Sequence, residues 1–334
     1  MVGAGAAGSW VTGRILLVLA IFVSLPFWIE PVGLYQYLGG EVMIWIIYAL
    51  GFNLLLGLTG LPSFGHGAFF GIGAYAFGLL QLHLLESLWL GLLAAIVAAA
   101  IAGAAVGCFL AHRRGIYFAL MSIAFSQIFW VTSVKWHSVT GGEDGLLNIP
   151  RPPVELGFVS LSLASNQALF YFSLAVFAVV IIVLWRLVHS PFGKALAAIK
   201  QNELRASFIG YNVYLLKWLV FTISAAVAGL AGGLFSMTQQ SAFPDVMSLT
   251  ASGLVVMMIL IGGGMVSFWG PIIGTALFFV ARDVLGALTD TWMLWYGLLF
   301  MAVVVFKPEG IAGIFQDLKL RRQRRASTAP APAE

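Results

Sequence analysis

Runs of about twenty apolar residues alternate with short polar segments along most of the chain. Because a helix needs about 20 predominantly apolar residues to cross a bilayer, the pattern predicts about ten transmembrane helices. Their approximate bounds are 15–33, 41–58, 65–84, 88–111, 116–134, 167–187, 214–235, 250–264, 270–287 and 291–306. Glycine-rich stretches at 60–63 and 262–267 predict that some of these helices are short or broken. The predicted fold class is an all-α polytopic membrane protein.

Composition excludes a large soluble core. Of 334 residues, 61% are hydrophobic and 9% are charged, whereas a soluble domain carries roughly 25% charged residues. The first apolar run ends without a small-residue cleavage site, so it is predicted to be a retained span and not a signal peptide. The single cysteine, Cys108, rules out an internal disulfide, and we predict no metal site.

Lysine and arginine are distributed unequally between the two sides of the predicted bundle. With the N-terminus inside, fourteen of the 17 basic residues fall on the cytoplasmic side, while Lys135 and Arg151 fall outside and Arg282 lies within the ninth span. Positive charge in short loops marks the cytoplasmic side, so both termini are predicted to be cytoplasmic. The basic residues lie in short segments between spans, which argues against nucleic acid as a partner.

The chain divides into a transmembrane domain, 1–315, and a tail, 316–334. The tail is basic and then rich in alanine and proline, so we expect it to be disordered on the cytoplasmic side. The cytoplasmic segment 190–210 is different, because Ser190-Pro191 fits a helix start, apolar positions recur at helical spacing, and Gly210 offers a stop. Such a helix either lies on the lipid surface or docks in a groove of a soluble partner. Its small alanine side chains favour docking in a partner's groove, because a helix on the lipid surface usually presents larger apolar side chains.

Glycines are dense in the stretch 51–80. Small residues four apart, such as Gly67 and Gly71, let helices approach closely in lipid. The sequence Gly-Leu-Pro-Ser at 60–63 must interrupt the helix, and irregular backbone at membrane depth is tolerated only inside protein or beside a wet cavity. A similar pattern, with Gly270 and Gly274, follows the second glycine-rich break, and duplicated interrupted helices indicate a transport path.

Polar residues at membrane depth are functional candidates by default. They could line a passage, or they could serve as interhelical hydrogen bonds and snorkelling side chains. Arg282 and Asp283 are adjacent in the ninth span and need not pair with each other. The candidates for a translocation path are Asn53, Ser63, His66, Ser122 and Gln127.

The sequence lacks the motifs of an ATPase or a membrane hydrolase. There is no G-x-x-x-x-G-K-[ST] phosphate loop, since the nearest fragment at 192–195 lacks the upstream glycine and the hydroxyl. There is likewise no catalytic triad, H-E-x-x-H motif or pair of carboxylates within one span. The chain is therefore not expected to be an enzyme.

Several motifs together resemble the permease subunits of bacterial branched-chain amino acid ABC importers. They are LGFNLLLG at 50–57, GLPSFGHGAFFGIGAY at 60–75, RGIYFAL at 114–120, TGGEDGL at 140–146, SPFGKA at 190–195, GGG at 262–264 and GP at 270–271. The third and fourth of these, RGIYFAL and TGGEDGL, match the longer, LivM-type of the two permeases. The similarity extends in order over roughly residues 40–315.

The resemblance implies half of a translocation path with a type II-like ABC importer bundle in the bacterial inner membrane. Its partners would be a second homologous permease, two ATP-binding subunits and an extracytoplasmic solute-binding protein, within membrane lipid. The chain itself would bind no cofactor, and ATP and Mg would sit on the partner subunits. The resemblance assigns contact with an ATP-binding subunit to Gly193, Lys194, Ala195, Ile199, Asn202 and Ala206.

The sequence leaves alternatives open for both the substrate and the class of transporter. Permeases of this kind take branched-chain amino acids, or urea, short amides or aromatic carboxylates. A channel or facilitator should have a filter motif, and none is visible. An ion-coupled secondary transporter could use His66, Arg282 and Asp283 as a proton relay.

Overall fold

The computed structural model describes residues 4–28, 36–155, 160–263, 265, 267–307 and 310–313. The helices are α1 (Ala4–Trp28), α2 (Gln36–Thr59), α3 (Gly67–His83), α4 (Leu88–Leu110), α5 (Gly115–Lys135), α6 (His137–Thr140), α7 (Asn166–His189), α8 (Pro191–Gln201), α9 (Glu203–Phe208), α10 (Val213–Gln239), α11 (Leu249–Gly262), α12 (Gly270–Leu288) and α13 (Trp292–Phe306). Short 3-10 turns cover Gly142–Asp144 and Pro244–Met247, and β1 (Val154–Glu155) pairs antiparallel with β2 (Ser160–Leu161). The predicted all-α class is confirmed.

Each of the ten predicted spans coincides with one helix over the described residues. Segments in α2, α4, α5, α7, α10 and α12, and one that begins with α13, are long and apolar enough to cross a membrane by length and composition. The apolar part of α1, Ile15–Pro26, and all of α11 are shorter. Helix α3 has 17 residues. The end of the first predicted span, 29–33, and the predicted tail, 316–334, lie outside the described residues.

Helices α2 and α10 form the centre of the bundle. The spanning segment of α2 is 83% buried, and α10 packs on α2, α3 and α4. Glycines make this possible, because a Cβ at Gly232 would overlap the Phe70 carbonyl and a Cβ at Gly229 would press on Ala95 and Ala99. Lipid gives apolar helices no hydrophobic drive to associate, so close packing of small residues holds such a centre together.

The predicted break after the second span is present. Helix α2 ends at Thr59, Gly60 adopts a left-handed conformation with φ of 70°, and the Leu61 amide donates to the Leu55 carbonyl at 3.2 Å. This is a glycine-terminated helix end in which a later amide satisfies a carbonyl of the last turn. The irregular backbone then runs to Gly67, where α3 begins.

The 190–210 segment forms two helices and not the single helix expected. Ser190 caps α8 by accepting from the Gly193 amide at 3.4 Å, with Pro191 as its first residue. Asn202 interrupts the helix, because its Oδ1 accepts from the Arg205 amide at 2.9 Å and so starts α9. Local side-chain bonding of this kind competes with helix continuation. The segment 190–210 lies at the same end of the bundle as the α4–α5 turn, which we call the basic end.

Candidate functional site

Serine hydroxyls from neighbouring helices satisfy the irregular backbone between α2 and α3. The Phe64 amide donates to Ser122 Oγ of α5 at 3.0 Å, and the Gly67 amide donates to Ser252 Oγ of α11 at 3.0 Å. A buried amide without a partner would cost about 1–3 kcal/mol. The break is therefore held by specific bonds to two other helices, and its position in the bundle is fixed.

His66 lies at the end of this break and contacts α10. Its Nε2 is 2.9 Å from Ser224 Oγ, and the same hydroxyl donates to the Gly51 carbonyl oxygen at 2.6 Å. Because a serine hydroxyl carries one proton, Ser224 must accept from the imidazole. The imidazole proton therefore resides on Nε2.

Aromatic rings enclose the His66 imidazole. Ring centroids lie 5.2 to 6.0 Å away at Tyr48, Phe52, Phe69 and Phe221. The ring is 1% exposed, and Nδ1 is buried without a hydrogen-bond partner among the described residues. The structure thus places this sequence-predicted path residue in a packed interior.

Ser63 and Ser122 lie together in a narrow crevice between α3, α5 and α10, lined largely by phenylalanine. The crevice leaves no room for a water molecule. Ser63 Oγ is buried without a partner in the described part of the chain. Gln127 is half-buried on α5 and lines neither this crevice nor the cavity around Asn53. None of these three residues lines the open cavity around Asn53.

Asn53 lines a cavity of about 280 Å³ that opens near the basic end. The walls come from α2, the end of α7 and the segment before α12, and most are apolar. Asn53 is 7% exposed, and its Oδ1 has no hydrogen-bond partner among the described residues. Of the five path candidates, Asn53 alone lines this cavity.

Four of the six residues assigned to coupling by the resemblance are buried by the chain's own helices: Gly193, Ala195, Ile199 and Ala206. Helix α8 packs on α2, α7 and α10, and small side chains let it lie close to them. Lys194 and Asn202 are exposed. Four of the six thus face the bundle in this arrangement, and contact of the six with an ATP-binding subunit stays a prediction.

A different face of the 190–210 segment is exposed. Leu204 is 54% exposed, Phe208 79% and Ile209 68%, and the side chains of Lys194 and Arg205 are exposed as well. Large apolar groups beside basic ones in this position are available to a partner or to lipid. These side chains form the outer face of the segment.

Lys200 joins α8 to two other parts of the bundle. Its ammonium donates to the carbonyl oxygens of Gly57 and Met265, each at 2.9 Å. Gly57 lies in the last turn of α2, where carbonyls lack helical partners and a cation is favoured by the helix dipole. Burial lowers the pKa of Lys200 below its ordinary value. Lys200 thus joins the end of α2 to the segment before α12.

Glu203 joins α9 to two further elements. It pairs with Arg114 at the start of α5 and with Lys217 Nζ of α10 at 3.3 Å. Lys217 is 2% exposed and also donates to the Arg113 carbonyl at 2.6 Å. Removing one member of a buried charge pair leaves the other without compensation. The segment is consequently attached to the bundle by polar contacts at two separate points.

A second charged cluster lies near the opposite end. Both guanidinium amino groups of Arg282 donate to Glu41 at 3.3 Å, and its Nε contacts Asp283 at 3.3 Å. The guanidinium also lies 4.5 Å from the Phe279 ring centroid. Arg282 and Asp283 do pair in the structure, and the stronger two-pronged contact is with Glu41 of α2.

The four glycines predicted to pack helices lie at close approaches. A Cβ at Gly67 would meet the Val246 carbonyl at 2.8 Å, and one at Gly71 would press on Met247. A Cβ at Gly274 would overlap the Met258 carbonyl of α11, and the Gly270 carbonyl lies where a side chain at Gly262 would be. Among the described residues, no three His, Cys, Asp or Glu side chains are grouped to hold a metal ion.

Four residues that make these contacts were not among the site residues predicted from the sequence: Lys200, Lys217, Ser224 and Glu41. A helical-spacing signal for Lys200 was available, since Leu196, Ile199 and Lys200 fall on one face. Glu41 and Ser224 had no comparable signal, because their partners lie far away in the sequence. Glu41 pairs with Arg282, and Ser224 bonds to Gly51 and His66.

The chain is similar to known transport proteins. Residues 36–306 match the family described as the branched-chain amino acid transport system permease component. The chain is 31% identical, over 94% of its length and 78% of the relative's, to the high-affinity branched-chain amino acid transport system permease protein LivM of Escherichia coli. It is 26% identical, over 80% of this chain and 91% of the relative, to the high-affinity branched-chain amino acid transport system permease protein BraD of Pseudomonas aeruginosa.

A further relative comes from an archaeon. The chain is 21% identical to the probable branched-chain amino acid transport permease protein LivM of Methanocaldococcus jannaschii, over 81% of this chain and 92% of the relative. No solved structure matches this chain. With the family match over most of its length and the apolar helices described above, this multi-pass membrane protein belongs to the permease family of the branched-chain amino acid transport systems.

Proposed function

We propose that this chain forms half of the translocation path of an ATP-binding cassette importer for branched-chain amino acids. Its partners are a second homologous permease, two ATP-binding subunits that hold ATP and Mg, and an extracytoplasmic solute-binding protein. The names of the relatives support the substrate class. The observation that carries the proposal is the 190–210 segment, which has an exposed outer face and polar contacts to α2, α5 and α10 on its inner side.

The basic end of the bundle faces the cytoplasm in this proposal, and both termini lie there. The reason is the excess of lysine and arginine in the short connections at that end. The 190–210 segment then lies beneath the membrane, where ATP-binding subunits have access to it. The opposite end, with Glu41 and Arg282, faces the solute-binding protein.

The outer face of the segment is the contact surface for an ATP-binding subunit. Phe208 and Leu204 supply apolar area, and Lys194 and Arg205 supply charge. Gly193, Ala195, Ile199 and Ala206 act on the inner side, where they let the segment lie close to the helices it moves. ATP binding favours one of two conformations of the bundle because the partner binds the two conformations with different affinity.

A proton-coupled secondary transporter is the less favoured function. A relay through His66, Arg282 and Asp283 requires contact between titratable groups. The described neighbours of His66 are aromatic rings and Ser224, while Arg282 contacts Glu41, Asp283 and Phe279. Urea, short amides and aromatic carboxylates stay as alternative substrates, since a separate binding protein selects the solute.

Reconstitution tests the proposal. The chain is purified with its native partners, placed in proteoliposomes with the solute-binding protein outside, and assayed for leucine uptake. We expect uptake that requires ATP inside the vesicle and is unaffected by an uncoupler. Uptake by the isolated chain, or uptake that an uncoupler abolishes while ATP depletion does not, contradicts the proposal. Urea and benzoate in the same assay test the alternative substrates.

A further inference from the structure

The cavity beside Asn53 lies within this single chain. It is lined by Leu50, Leu54, Gly57 and Leu58 of α2, by Trp185, Val188 and His189 of α7, and by Met265, Ser267, Phe268 and Trp269 before α12. Its volume of about 280 Å³ lies just below the usual range for ligand pockets, about 300–1,000 Å³. The cavity therefore has room for a small solute.

Two lining residues carry a buried polar atom without a hydrogen-bond partner in the described part of the chain, Asn53 at Oδ1 and Trp269 at Nε1. An amide oxygen accepts hydrogen bonds, and a buried acceptor that is left unpaired costs free energy. A ligand group that donates a hydrogen bond, such as an ammonium or amide N–H, satisfies it. The leucine side chains of α2 accept the apolar part of the same ligand.

Lys200 is not itself a lining residue, but its ammonium contacts two residues of the cavity wall. Lys200 donates to the carbonyls of Gly57 and Met265, and both of these residues line the cavity. A lysine ammonium has three donors, so these two bonds leave one for an anionic group. An acceptor in the wall and a cation in contact with the wall complement a zwitterion that carries an ammonium and a carboxylate.

We propose that this cavity is a solute-binding site for a small α-amino acid with an aliphatic side chain. The ammonium donates to Asn53 Oδ1, the carboxylate approaches Lys200, and the side chain packs among the leucines of α2. The inference rests on the proposed function and deepens it, because it locates a site inside one permease chain. Lys200 of α8 bonds to the carbonyls of two residues in the cavity wall. Movement of α8 therefore changes the opening of the cavity.

Cysteine labelling tests the site directly. The only native cysteine is removed by Cys108→Ser, and Val188→Cys then places one thiol in the cavity wall. Glu86→Cys, exposed in the connection between α3 and α4, is the matched control. The full transporter in nanodiscs, which expose both membrane sides, is labelled with a small water-soluble maleimide, with and without leucine.

We expect leucine at about ten times its Kd to slow labelling of Val188→Cys about tenfold and to leave Glu86→Cys unchanged. Adding Asn53→Leu should raise the leucine concentration needed for protection by about tenfold or more. A labelling rate at Val188→Cys that leucine, isoleucine and valine all leave unchanged overturns the site. Protection that survives Asn53→Leu in full overturns the role of its amide.

The two proposals fail in different ways. If wild-type proteoliposomes take up leucine with ATP and Val188→Cys shows no protection, the site is wrong and the importer stands. If no amino acid is taken up with ATP and the binding protein present, the proposed function itself fails. Uptake by the Val188→Trp variant gives a second measurement: the indole would fill the cavity, so uptake at the wild-type rate also contradicts the site.

Discussion

The Lys200 ammonium lies 2.9 Å from the carbonyl oxygen of Gly57, although 143 residues separate the two in the chain. It contacts the Met265 carbonyl at the same distance. One side chain of a helix outside the bundle thus holds the end of α2 and the segment before α12. Movement of α8 must either carry both along or break these bonds.

Replacing Lys200 with Met should therefore weaken coupling. The change removes two charge-assisted hydrogen bonds from a partly exposed site, which we estimate at about 1–2 kcal/mol in total. We expect several-fold fewer leucine molecules transported per ATP hydrolysed, measured in the same proteoliposomes. Arg186→Met, an exposed basic residue in the last turn of α7, is the control for loss of charge. Equal transport stoichiometry in the two variants would refute the bridging role.

The buried Lys217 should matter for stability. Lys217→Met leaves Glu203 with Arg114 alone and the Arg113 carbonyl without its donor. We expect destabilisation of about 1–3 kcal/mol, visible as a lower midpoint of thermal unfolding in detergent. Arg205→Gln, on the exposed side of α9, should leave the midpoint nearly unchanged. A midpoint for Lys217→Met at the wild-type value would show that the contact contributes nothing.

Ser224 forms hydrogen bonds with both Gly51 and His66. Ser224→Ala should therefore destabilise the protein more than removal of an exposed hydroxyl does. The variant leaves a buried imidazole N–H unpaired, at about 1–3 kcal/mol, and removes the second hydrogen bond from the Gly51 carbonyl, which lies inside α2. Thermal unfolding of the purified chain measures the effect. Ser207→Ala, an exposed hydroxyl on α9, is the control. Equal midpoints for the two variants would contradict the bonding scheme around His66.

Gly274 should not tolerate a methyl group. In Gly274→Ala the Cβ overlaps the Met258 carbonyl, so α11 and α12 must separate and we expect a loss of about 1–3 kcal/mol. Gly297→Ala in α13, where nothing lies within 4 Å of an added Cβ, should be neutral or stabilising by up to about 1 kcal/mol. The yield of folded protein by size-exclusion chromatography and the unfolding midpoint distinguish them. Equal behaviour would mean that the two helices can move apart freely.

The helices and their breaks could be predicted because they depend on local features. Length and hydropathy of each run predict a spanning helix, and Gly60, Pro62 and Gly263 end helices through their own backbone preferences. The cap at Ser190 is also local. The second cap at Asn202 was missed, although its signal is local too, because the apolar spacing continued past it.

The site depended on contacts that local sequence does not encode. His66, Ser63 and Asn53 look alike as polar residues in apolar runs, yet tertiary packing buries His66 among aromatic rings and places Asn53 on a cavity. Which face of α8 meets the bundle followed likewise from the helices packed against it, so Ala195 and Ile199 proved to be inside.

The sequence by itself determined the membrane class, the approximate bounds of the ten apolar helices, and the breaks after the second and eighth of them, because each is a property of neighbouring residues and of the lipid around them. Only the tertiary structure decided which polar groups meet. Lys200 with Gly57, Glu203 with Lys217 and Glu41 with Arg282 are partners from different helices. Such pairs form where helix packing brings distant positions within hydrogen-bond distance, and that packing is a property of the whole bundle.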